Sequence, residues 1–125
     1  MYPTLELDYN KLLDMVSEMG YRLMKSGAEI YRVEESIQRL LQAYGAPRGE
    51  VFAIPNCLMV SLTSPDGRPV TQIRRMPTHG TDIYLLEKYN GLCRRLCRET
   101  PAFEEALGQM EAITRTHRVY SLPTQ

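Results

Sequence analysis

Glu29, Arg32, Glu34 and Glu35 crowd acid and base into the stretch Ser26-Gly27-Ala28-Glu29-Ile30-Tyr31-Arg32-Val33-Glu34-Glu35. Two chemistries are open to them. Paired carboxylates, one protonated and one charged, serve as acid and base in hydrolysis, and Glu29 with Glu34 or Glu35 would be such a pair. The plainer expectation is a charged helix face, with Glu29 meeting Arg32 at i+3 and Glu35 meeting Arg39 at i+4. Glu29 also follows a glycine break, where the first backbone N–H groups of a helix are free and a negative charge is favoured. Arg74 and Arg75 end a strand candidate and must point to opposite sheet faces. Either one is solvated and the other lies across the sheet edge, or one pairs with Glu29 or Glu34 and fixes the helix to the sheet. The expected site is therefore a polar cluster of Glu29, Arg32, Glu34, Arg74 and Arg75, ligand-binding or structural.

Other reactive types give less. Cys93 and Cys97 share a helix face and, with His79, match no common zinc spacing, so core packing is expected of them. Cys57 beside Asn56 falls in a turn, without a His and Asn/Asp arrangement to make it a nucleophile. Ser61 and Ser64 lack the G-x-S-x-G context. His79 and His117 fall in a loop and a tail and are expected to be exposed. Arg94, Arg95 and Arg98 form a basic run, expected to be solvated or, with Arg115 and Arg118, to face anionic lipid. No catalytic residue, metal site or cofactor is assigned, and a non-catalytic role ranks above an enzyme.

These residues must be held by few elements. The chain has 125 residues, enough for one domain with a sizeable core. Fifteen Lys/Arg and fifteen Asp/Glu cancel, which argues against nucleic acid as a partner. No run approaches the ~20 apolar residues of a membrane span. Charge at Glu6 and Asp8 argues against a signal peptide. Three cysteines suit reduced intracellular thiols.

Asp8 caps a first helix over about 9–25, with Leu12, Val16, Met19 and Leu23 in one apolar row. Gly27 suits its C-terminal end. A second helix over about 29–44 carries Ile30, Val33, Ile37, Leu40 and Leu41, and Gly45 and Pro47 stop it. Strands are expected over about 51–54, 58–63 and 70–75, joined by Pro55-Asn56 and Ser64-Pro65-Asp66-Gly67 into a meander with one face covered by helices. Thr81 or Asp82 caps a third helix over about 83–98, with Ile83, Leu86, Asn90, Cys93 and Cys97 near one face and Tyr89 and Leu96 beside it. Thr100-Pro101 is expected to open a fourth, with Phe103, Leu107, Met110 and Ile113 as its stripe. From Thr114 on, apolar periodicity stops, and 114–125 reads as a linker. The order is ααβββαα, a single α+β domain over 1–125.

Four stretches, in order, resemble the cytoplasmic N-terminal domain of the threonine/serine exporter family: Gly27 to Glu35, Val51 to Pro55 with the strand after it, Thr71-Gln72-Ile73-Arg74-Arg75, and Leu86 to Arg95. The resemblance spans about residues 9–120. It departs at Asn56-Cys57, where that family often has a Thr-Gly-like pair. It implies a domain at the cytoplasmic face of the cell membrane, followed in the whole protein by transmembrane helices. Those proteins export threonine, serine or dicarboxylates, driven by an ion gradient. The domain would then regulate, assemble or sense substrate, with a companion membrane subunit or a second copy as partners. The rivals are a small hydrolase using Glu29 with Glu34 or Glu35, and a free-standing binding module.

Overall fold

The computed structural model describes residues 8–77 and 80–120. The expected order holds: α1 (Tyr9–Lys25), α2 (Ile30–Ala43), β1 (Glu50–Ile54), β2 (Cys57–Thr63), β3 (Pro69–Arg75), α3 (Ile83–Glu99) and α4 (Phe103–Tyr120).

α1 starts where Asp8 Oδ1 accepts the Lys11 N–H at 3.0 Å. It ends in a Schellman motif: Ala28 N–H donates to Leu23 O, and Gly27 N–H to Met24 O, both at 3.0 Å. Gly27 takes φ 102 there. A Cβ on it would also sit 2.9 Å from the Thr81 Cα, so only glycine fits. α2 ends the same way at Gly45, with Ala46 N–H donating to Leu41 O at 2.8 Å.

α1 is the centre of the molecule. Leu12, Met15, Val16, Met19 and Leu23 are buried, and so are Ser17 and Gly20. It touches α2, β2, β3, α3 and α4. A Cβ on Gly20 would stand 2.6 Å from Leu58 Cδ2, so the absent side chain lets α1 lie close to the sheet.

The sheet is an antiparallel meander, β1-β2-β3. Its inner residues Ala53, Leu58, Val60 and Leu62 are buried under α1 and α2. α3 and α4 pack on those helices and not on the strands, making a third layer. The opposite sheet face carries no element of the described chain.

Three expectations need correction. Thr100 does not open α4. It closes α3 in the left-handed region, φ 39, donating its N–H to Leu96 O at 2.9 Å, and α4 begins at Phe103. On α3, Tyr89, Cys93 and Leu96 are buried as expected, but Leu92 joins them while Ile83 is 67% exposed. The face is rotated because α3 packs between α2 and α4, not on a sheet. Finally, residues 114–120 are helical. Polar contacts extend α4 where apolar periodicity stops: Thr114 bonds Arg22, and His117 Nε2 lies 2.8 Å from Asp82 Oδ2 while stacking on Tyr84. Residues 121–125 and His79 lie outside the described residues.

Candidate functional site

Two groups of arginines stand apart, one where α1 meets α3, α4 and β3, the other between α2 and α3. The first surrounds Arg22. Its Nε donates to Glu18 Oε2 at 2.6 Å, an i,i+4 pair on α1. Its Nη1 faces Tyr89 OH at 2.8 Å, Thr114 Oγ1 at 2.8 Å and Met110 O at 3.0 Å. Its Nη2 donates to Glu111 at 3.0 Å. The Tyr89 and Thr114 hydroxyls also bond each other. Arg74 completes the group, reaching Glu18 Oε1 at 3.0 Å and lying 4.4 Å from the Tyr21 ring centroid.

Every nitrogen of Arg22 is engaged, and one guanidinium ties α1 to α3 and α4 while Glu18 ties α1 to β3. Burial pushes the Glu18 carboxyl up, but hydrogen bonds from Arg22 and Arg74 outweigh it and hold the group below the usual carboxylate range. Burial likewise works against the Arg22 charge, and the Glu18 and Tyr89 bonds more than restore it. The cluster lines a recess of ≈ 310 Å³ together with Tyr21, Lys25 and Asp82, but its arginines are already paired with carboxylates of the protein.

The second group is open. α2 presents Arg32, Glu35, Ser36 and Arg39 at i, i+3, i+4 and i+7, one face of the helix. α3 answers with Asn90, Cys93, Arg94, Cys97 and Arg98, again one face. Together they line a cleft of ≈ 400 Å³. Four guanidiniums meet one lining carboxylate, Glu35, which pairs with Arg39 at 3.1 Å. Arg32 Nε donates to Tyr31 OH at 3.2 Å. Among the described residues, Arg94 and Arg98 have no carboxylate partner. A smaller recess of ≈ 270 Å³ adjoins this cleft, shares Arg32 and Asn90 with it, and has Glu29 on its wall. The two form one trough, acidic at the Glu29 end and basic at the Arg94–Arg98 end.

The cysteines stand at the wall of this cleft. The Cys93 thiol, held by Cys97 and buried, is pushed up. A hydrogen bond from Cys93, against burial and with help from Arg39, brings Cys97 down to about 7. Among the described residues no group of three His, Cys, Asp or Glu could hold a metal ion.

Of the five residues expected to cluster, Glu29 and Arg32 share the trough. Glu34 is elsewhere: its Oε2 accepts the Ala53 N–H at 2.9 Å and caps the free edge of β1. Arg74 turns inward to Glu18 on α1, since α1 and not α2 lies over β3. Arg75 is exposed on the outer sheet face. The carboxylates proposed as an acid–base pair are likewise divided, Glu29 at the trough, Glu34 on β1 and Glu35 on Arg39. The sequence reading gave no site role to Glu18, Arg22, Tyr89 or Thr114. Only the Glu18–Arg22 spacing on α1 signals them. A further recess of ≈ 420 Å³ at the loop end is lined by Gly45 to Gly49 and Leu62 to Pro65, with Arg48 as its one charged side chain.

A family model described as "Putative threonine/serine exporter" matches residues 14–125. The chain belongs to this exporter family. The match takes in both arginine groups, the whole trough and the sheet. No curated protein matches the chain, and no solved structure does. Exporter membership implies association with a membrane. No helix among the described residues is long and apolar enough to cross one.

Proposed function

We propose that this chain is a cytoplasmic regulatory domain of a membrane exporter, and that it senses a small hydrophilic metabolite in the trough between α2 and α3. The observation that carries the reading is that Arg94 and Arg98, which have no carboxylate partner among the described residues, face Arg32 and Arg39 of α2 across an open cleft. Guanidiniums bind carboxylates through two parallel hydrogen bonds. Glu29 at the other end suits an ammonium group. Threonine and serine carry both groups, and the family's name points to these two.

The contrast with the Arg22 cluster favours binding over structure. Charges that hold a fold together are already paired, whereas these remain available. The test is calorimetric titration with threonine, serine and succinate. A zwitterionic ligand gives saturable heat that Arg94→Ala abolishes and Glu29→Gln weakens. Succinate, with two carboxylates, depends on Arg94 and not on Glu29. No saturable heat from any of the three overturns the proposal.

A further inference from the structure

The outer face of the sheet is an apolar surface that no element of the described chain covers. Its central row is Phe52, Met59 and Ile73, aligned across all three strands by the register. Phe52 is 55% exposed and Ile73 57%, and Ile54, in the next row, is 46% exposed. An antiparallel sheet is free to solvate one face, but that face then reads polar. Here an aromatic and two isoleucines stand where polar residues belong.

The charges on this face are as informative as its apolar row. The face carries one acid, Glu50, and one base, Arg75. Glu50 lies on β1 in the row of Ser61 and Thr71, and Arg75 lies on β3 in the row of Ile54 and Cys57. They therefore occupy opposite corners of the patch. Both are exposed, and among the described residues neither has an ion-pair partner.

We infer that this face is a homodimer interface, with two copies packed sheet on sheet about a two-fold axis. The corners decide the geometry. In a two-fold contact each surface point meets its own mirror position across the axis. An axis along or across the strands sets Glu50 against Thr71 or Ile54. Only a diagonal axis sets Glu50 against Arg75 of the other copy, and it does so twice.

With strands ~4.8 Å apart and rows about 6.8 Å apart, that axis makes the two sets of strands cross at roughly 70°, near the orthogonal class of sheet packing. Met59 then lies on the axis against its own copy and Ile54 close beside it. Phe52 seats among Ile54, Cys57 and Met59 of the second molecule. The apolar row and the charge pair are thus satisfied by one arrangement.

The patch is small. Three strands of this length give a plane of about 300 Å², short of the ~800 Å² per partner of a stable interface. The association is weak in free solution and strengthens when copies are concentrated, as on a membrane.

Sedimentation velocity on the chain tests this. The wild type shifts from monomer toward dimer between about 10 μM and about 1 mM. Ile73→Glu abolishes the shift. Glu50→Arg and Arg75→Glu each weaken it at least tenfold, and the double variant regains it, because the charges meet again with signs exchanged. These sites are exposed, so circular dichroism stays unchanged. In a Cys57→Ser background, Met59→Cys forms a covalent dimer under mild oxidation. A wild type that stays monomeric at about 1 mM, a dimer indifferent to Ile73→Glu, or a double variant no better than the singles overturns the inference. None of these outcomes bears on metabolite binding in the trough.

Discussion

Arg22 and Arg94 are the same residue type, each on a helix and each within reach of α3, yet they have opposite fates. Every nitrogen of Arg22 bonds the protein, and among the described residues Arg94 bonds no carboxylate. The difference lies in what the neighbouring helix brings. α4 sets Glu111, Thr114 and the Met110 carbonyl around Arg22. α2 sets Arg32 and Arg39 around Arg94. A buried cation must find acceptors or be lost, whereas exposed cations can stand together in water at little cost. Satisfied charge here holds elements together, whereas unpaired charge in a concave place stays free to meet a ligand.

Breaking the paired cluster should cost most. Arg22→Met leaves Glu18 with Arg74 alone and unties Tyr89, Met110 O and Thr114 from α1, and is expected to lower stability by about 2–4 kcal/mol, read as a fall of roughly 10 °C in Tm. A loss below ~1 kcal/mol would make this cluster no different from surface charge.

Two neighbours on α2 sharpen the contrast at smaller scale. Glu34→Ala frees the Ala53 N–H on the β1 edge and should cost about 1–2 kcal/mol in urea denaturation. Glu35→Ala, next to it but on the cleft side, should cost less than ~0.5 kcal/mol. Equal losses would remove the distinction.

Acid titration separates the groups by pH. The Glu18 carboxyl is lowered in the folded state. Its stabilisation is therefore present above the pKa of free glutamate and is lost as pH falls through the folded value, below about pH 4.3. Glu18→Gln should flatten that part of the stability profile, and an unchanged profile would contradict the pairing.

The smallest effect on stability belongs to the open cleft. Arg39→Ala or Arg98→Ala should shift unfolding by less than ~0.5 kcal/mol. The chemistry of the cleft should still respond. Cys97 is expected to react with iodoacetamide with a midpoint near 7. Cys93→Ala should raise that midpoint most and Arg39→Ala less.

Much of the fold was legible because it rests on local physics. Asp8 caps α1 as read, Asp82 is the one of the two expected candidates that caps α3, Gly27 closes α1, and the meander follows from Pro55-Asn56 and Ser64 to Gly67. Each depends on one residue's own φ preference or side-chain reach. Thr100 shows the limit. It has the type of an N-cap, but its position after α3 puts it at a C-terminal end, because the same residue can close one helix or start the next. The Glu35–Arg39 pair was likewise legible, being a matter of spacing along one helix.

What no spacing could give is which charged faces meet. Arg74 was equally able to reach α1 or α2, and the sheet lies so that α1 covers β3. Arg94 and Arg98 read as a solvated run until α2 placed Arg32 and Arg39 opposite them. The sequence by itself determined the caps, the turns, the apolar stripes and the alternation of the strands, since these are properties of residues a few positions apart. The tertiary structure alone decided that Arg22 is paired, that the trough is open, and that Glu50 and Arg75 occupy opposite corners of a bare sheet. Those facts depend on helices and strands distant in the chain meeting at particular angles, and packing sets the angles.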